Sequence, residues 1–276
     1  VLARLADAGA DDDATRIDAL EGLGTTVGWL GRHAEAEQLL QQALALAEPE
    51  YGSRHSRLVP VLTSLGIALG RLEQSRRSVE LHRRALEITR EHRGDDHAIT
   101  LSVRNNLAVE LGRAGDRDGE QQQLRELLDA RLRLHGKDHQ LVGVAYQNLA
   151  ASLAKSGQFD DALALLDRAR QTFNVATPGS HVRAFPWLTE ALIHLQRQDP
   201  ASAARAAESA HDVLAAALPV GHYATGAAEC LLGEARLTLG ERETAAPLIA
   251  SGAVALAARP AGDEYRLRCE AAQSLL

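Results

Sequence analysis

Apolar positions along this chain recur at helical spacing. Val142, Tyr146, Leu149 and Leu153 stand at i, i+4, i+7 and i+11, the stripe of a helix with one buried face. Gly157 interrupts the pattern. Phe159, Ala162, Leu163, Leu166, Ala169 and Phe173 resume it until Thr177-Pro-Gly-Ser180 breaks it again. The unit reads as helix, tight turn, helix, loop. Asp199-Pro200 marks another second-helix start, with Asp as N-cap and Pro at the first helical position. Pro247 falls early in the last second helix, where a kink is expected.

The unit repeats. His55, His97, His139 and His181 are spaced by 42 residues, His222 follows 41 later, and Asp13 lies 42 before His55. Ten residues on, a second ladder reads Leu23, Leu65, Leu107, Leu149, Ala191 and Leu232. A third reads Ala36, Ser78, Glu120, Ala162, Ala204 and Ala245. Six hairpins are predicted over residues 14–262, starting near 14, 56, 98, 140, 182 and 223. Residues 1–13 read as the tail of a preceding helix plus a linker, and 263–276 as a capping helix. One hairpin cannot bury its apolar face alone, so the array is stable only as a stack. Glu120 breaks the small-residue ladder within the polar run Asp116-Arg-Asp-Gly-Glu120, so the second helix of that unit is expected to pack loosely.

Composition agrees with an all-α fold. Apolar residues are 45% and aromatics only 3%, a mixture that suits helices and not strands. Net charge is −7 without a basic cluster, which excludes a nucleic-acid footprint. No run approaches the roughly 18 apolar residues of a membrane helix. Cys230 and Cys269 form no paired motif. Cys230 reads as a buried apolar thiol, and a reduced, cytoplasmic setting is expected. The chain has no Met and opens at Val1, so it reads as a piece of a longer protein, with Val1–Ala8 the end of a helix.

The repeats carry a resemblance. Gly94-Asp-Asp-His97 with Asn105-Asn-Leu-Ala108, Gly136-Lys-Asp-His139 with Gln147-Asn-Leu-Ala150, and Gly157-Gln-Phe-Asp-Asp-Ala-Leu163 resemble the 42-residue tetratricopeptide repeats of kinesin light chain, in their bacterial form. The likeness runs from about residue 14 to 258. It implies a right-handed superhelix whose first helices line a concave groove for an extended peptide. It also implies a carboxy-terminal array behind a signalling domain such as a serine/threonine kinase, and asparagines of the first helices that grip the peptide backbone. Asn106 and Asn148 match that asparagine column, with Asn105 and Gln147 beside them. Gly22, Ser64, Glu190 and Leu231 fill its other places.

Two columns are candidates for binding. Ser64, Asn106 and Asn148 could meet a peptide backbone through donor and acceptor alike, or bond each other across adjacent helices. Arg71, Arg113, Lys155 and Arg197 each follow that column by seven residues, on the same helical face about 10 Å along. Ile67, Val109, Ala151 and Ile193 lie between. Such a floor suits an extended acidic peptide, although cations at helix C-termini also complement the helix dipole. The histidine ladder cannot share a metal, because rungs on stacked helices are too far apart. These histidines are expected to cap first helices or bond loop carbonyls of the next unit.

Gly22-Leu-Gly24-Thr-Thr-Val-Gly28 follows no strand and reads as a site of close helix contact. Phe185 and Trp187 could anchor an aromatic ligand or pack in the core. No catalytic motif is present, so neither an enzyme nor a cofactor is expected. The expected role is a protein-binding scaffold. The alternative is self-association through the solenoid ends, giving a homo-oligomer.

Overall fold

The computed structural model describes residues 13–276. The reading of Val1–Ala8 as a helix tail lies outside the described residues. Within them, thirteen α-helices and one 3-10 turn occur, and no strand. The contacts separate the chain into two compact units, one ending at Leu134 and one running His135–Leu276.

The first unit holds three hairpins. They are α1 (Asp13–Trp29) with α2 (His33–Tyr51), α3 (Leu58–Arg71) with α4 (Ser75–Arg93), and α5 (Ala98–Arg113) with α6 (Arg117–His135). Leu39, Leu40, Val61, Leu65 and Leu69 close one part of its core. Leu58, Leu62, Ile88, Val103 and Leu107 close the next.

The second unit holds α7 (Gln140–Lys155) with α8 (Phe159–Ala176), a 3-10 turn at His181–Ala184, and α9 (Phe185–Gln196) with α10 (Pro200–Ala217). Then come α11 (Tyr223–Thr238) with α12 (Arg242–Leu256), and last α13 (Glu264–Gln273). Its core is rich in alanine, with Ala191, Ala206, Ala207 and Ala210 around Leu188 and Leu214. Small side chains let helix axes approach closely. Residue 247 sits inside a continuous α12.

Local signals explain the starts and turns. His97, His139 and His222 are N-caps, each accepting through Nδ1 the N–H of the residue two ahead, at 3.2 Å. His55 accepts from the Arg57 N–H in the same way. At the fifth rung Ser180, not His181, takes the N–H of Val182. Asp199 caps α10 by accepting from Ser202, with Pro200 at the first position. The hairpin turns place one residue in the left-handed region: Gly31, Gly115, Gly157 and Gly240, but also Glu73 and Gln198.

Two expectations are corrected. The second helix of the third hairpin packs, because α6 buries Gln121, Leu124, Leu127, Leu128 and Ala130. Glu120 folds its carboxylate into the space beside Gly112, where a Cβ would lie 2.6 Å from Oε1, and pairs with Arg117 at 2.8 Å. The reading of Cys230 as a buried thiol is likewise overturned, although the residue is buried. Cys230 and Cys269 form a disulfide, because α13 docks on α11 and α12 and brings the two Cα atoms to 5.2 Å, within disulfide reach. That pairing removes the ground for a reduced compartment.

Candidate binding surface of the first helices

In the first unit, Gly24 and Gly28 let α1 approach α2. A Cβ at Gly24 would lie 2.7 Å from Leu40 Cγ. Beside this contact a hollow of about 450 Å³ opens, lined by Thr25, Trp29, His33, Ser64, Ile67 and Arg71 among others. Trp29 is 88% exposed, a large apolar surface left to solvent at the rim. A second hollow of about 300 Å³ lies between α3 and α5, with Ser64 on its wall too.

The amide column divides into bonded and free members. Ser64 Oγ forms a hydrogen-bonded triangle with Thr25 Oγ1 at 2.9 Å and Glu21 Oε1 at 3.3 Å. Gln147 Nε2 donates to Thr189 Oγ1 at 2.7 Å and to the Phe185 carbonyl at 3.3 Å. These two side chains link adjacent first helices. Asn105, Asn106 and Asn148 are half-buried, and no side-chain hydrogen bond to another described residue engages them.

The basic column divides in the same way. Arg113 pairs with Glu110 at 2.6 Å, and Glu110 is buried, with Oε2 lacking a hydrogen-bond partner. Arg197 pairs with Asp160 at 2.8 Å. Arg71 and Lys155 are exposed at the ends of α3 and α7, unpaired among the described residues. The apolar middle is also uneven. Ile67 and Val109 are exposed, but Ile193 is 0% exposed. Ile193 therefore belongs to the core and not to a binding floor. The fifth hairpin opens with a 3-10 turn and a first helix of only 12 residues.

In the second unit a hollow of about 330 Å³ is lined by Gln147, Asn148, Phe173, Phe185, Thr189 and Tyr265, among others. Gln147 Oε1 is buried without a partner. Its nitrogen must face the Phe185 carbonyl, which only accepts, so the oxygen is held away from that bond. Trp187 packs against the core with the Arg170 guanidinium 4.0 Å above its ring, a cation–π contact. Trp29 and Tyr265 were not singled out in the sequence as binding residues. Trp29 stands 42 before Arg71, which was the available signal; Tyr265 lies off every ladder.

Among the described residues no group of three His, Cys, Asp or Glu side chains is placed to hold a metal. Among them, no helix is long and apolar enough to cross a membrane.

Known proteins supply a comparison. A tetratricopeptide-repeat profile matches residues 15–91, and another matches 100–141 and 142–174. No curated protein matches the chain. Among solved structures, the chain is similar to the nearly identical TPR-like repeats of a putative kinesin light chain from Podosopora anserina. Identity is 19% and TM-score 0.60, over 75% of this chain and 98% of that one. It is similar to the apo form of RapI at 14% identity and TM-score 0.75, over 99% and 79%. For the apo form of the quorum sensor NprR from B. thuringiensis the values are 13% and 0.67, over 92% and 68%. At such identities the likeness is one of fold.

Proposed function

The chain belongs to the tetratricopeptide-repeat family, and from that premise we propose that it binds extended peptide along the first helices of each unit. Repeat solenoids of this kind offer extended surfaces to protein partners. The observation that carries the reading is the set of uncommitted polar groups there. Among the described residues, Asn105, Asn106 and Asn148 have no partner side chain or carbonyl, and Arg71 and Lys155 have no counter-ion. An amide in that state serves a peptide backbone in either polarity. An unpaired cation favours acidic side chains. Trp29 adds an exposed aromatic anchor beside Arg71, a residue type enriched among binding hot spots. Ser64, Gln147, Arg113 and Arg197 are already bonded within the chain and shape the surface. A place as the recognition part of a signalling protein rests on the likeness of fold to the quorum sensor NprR.

The test is selection from a random peptide library displayed on phage. Wild type should enrich acidic peptides, and Arg71→Glu with Lys155→Glu should lose them. Equal enrichment by both would move binding off this face. Arg113 is left intact, because a second carboxylate beside buried Glu110 would confound folding with binding.

A second reading is self-association through the end of α13, where Leu267 and Leu275 are exposed. Light scattering over a concentration series tests it, with Leu275→Glu expected to hold the chain monomeric.

A further inference from the structure

The terminal helix α13 is short, and the only residues it buries fully are Cys269 and Ala272. Beside the packing of Tyr265 against two core clusters, three covalent or polar attachments hold it to the rest of its unit. Cys269 is bonded to Cys230 on α11. Arg268 donates through Nε and Nη2 to the two oxygens of Glu234, at 2.9 and 2.6 Å. Arg266 donates to the carbonyls of Ala257 and Arg259. The facing surface is shaped for the sulfur, since a Cβ at Gly252 on α12 would lie 2.3 Å from Cys230 Sγ.

One helical turn before Cys269 stands Tyr265. Its side chain borders the hollow that holds Gln147, Asn148 and Thr189. The helix that the disulfide pins is thus the helix that supplies one wall of this hollow, beside which Gln147 Oε1 is buried and unpaired.

We propose that the Cys230–Cys269 disulfide is a redox latch: oxidised, it holds α13 with Tyr265 as one wall of the amide-lined hollow of the second unit, and reduced, it releases α13 and widens that hollow for a peptide. The peptide part rests on the reading under Proposed function; the latch itself does not. The reductant is a dithiol. Its thiolate attacks Cys269 Sγ as the end of α13 frays, the S–S bond breaks, and its electron pair goes to Cys230 Sγ, which takes a proton. The second thiol of the reductant then attacks its own sulfur in the mixed disulfide and expels Cys269 as a thiolate, which is protonated. Two electrons and two protons pass to the protein, and the reductant leaves as a cyclic disulfide. Release of α13 also uncovers Ala227, Ile249 and Leu256, which now share a core cluster with Cys269.

Hydrogen exchange read by mass spectrometry tests this on the whole chain, before and after millimolar dithiothreitol, with thiol state checked by alkylation. Reduction should speed exchange over residues 264–273 by about tenfold or more and raise the fluorescence of an added apolar dye. Tyr265→Ala should raise the dye signal in the oxidised protein. A Cys269→Ser chain, with helicity verified by circular dichroism, should exchange like the reduced protein. Full reduction with unchanged exchange would overturn the latch. It would mean that Arg268–Glu234 and the Ile249 carbonyl, 3.6 Å from Cys269 Sγ, hold the helix unaided. A disulfide that resists dithiothreitol without denaturant would overturn it equally. No peptide is used, so failure of the peptide reading shows only in the phage selection.

Discussion

His82 occupies the place of the side chain that Gly66 lacks: a Cβ at Gly66 would lie 2.7 Å from His82 Nε2. The ring is 0% exposed, and neither nitrogen has a hydrogen-bond partner. Burial pushes its pKa down to about 4, because the charged imidazolium is disfavoured away from water. The unfolded chain therefore binds a proton, below its ordinary value near 6.5, that the folded chain refuses. Stability from this site is complete above pH 6.5 and is lost as pH falls towards 4, on the order of 3 kcal/mol in all. Urea titrations at pH 7 and pH 5 should show the loss, and His82→Leu should make the two midpoints more nearly equal.

The same contact sets a contrast between glycines. Gly66→Ala should cost about 1–3 kcal/mol by forcing the ring aside. Gly22→Ala meets nothing within 4 Å and should stabilise α1 by up to about 1 kcal/mol. Thermal melts of the two variants, one falling and one holding or rising, check the pair.

Glu73 and Gln198 hold left-handed backbone at φ of 62° and 58°, where their repeat equivalents are glycine. A residue with a Cβ carries a penalty of about 1–2 kcal/mol there, partly offset by the larger entropy that glycine loses on folding. Glu73→Gly and Gln198→Gly should each raise stability by about 0.5–1 kcal/mol, read as higher urea midpoints. A fall at both positions would mean that local contacts of these side chains outweigh the strain.

Arg113 and Arg71 should separate folding from binding. Arg113→Ala removes the partner of buried Glu110 and should cost about 1–2 kcal/mol, since the arginine itself is half-exposed. Arg71→Ala should leave the melting temperature within measurement error while weakening acidic peptides in a binding titration.

Helix caps offer a check on the histidine ladder. His139→Ala should lower stability by about 1 kcal/mol through loss of the bond to the Leu141 N–H. His181→Ala should cost less, because Ser180 holds that position.

The ladders made the helical hairpins legible, since spacing alone places a turn after each stripe, glycine in four of six, and a histidine near the start of every first helix but α1. Capping by His97, His139 and His222 followed from their position just before the first apolar residue. What spacing could not show was which polar side chains are already engaged. Whether Arg113 faces a ligand or Glu110 depends on a rotamer and on a buried carboxylate that belongs to no ladder. Ile193 keeps its place in the 42-residue count yet is buried, although Ala184, Leu188 and Ala191 keep the buried places of Leu58, Leu62 and Leu65. The disulfide was hidden for a related reason. Cys230 and Cys269 are 39 residues apart, and only the docking of α13 makes them neighbours. His82 lay on a second helix, in a stretch rich in charge, where nothing marked it as buried.

The recurrence of start, turn and stop signals every 42 residues also bears on how such a chain changes over generations. A block copied from one loop to the next carries its own capping histidine and its own left-handed turn, and it meets its neighbours through contacts they already make. Length can then drift by duplication without a new core having to be invented. Only the last block is exempt, because Cys230 is bonded to a helix that no other hairpin possesses; a copy of it placed mid-chain would carry a thiol with no mate.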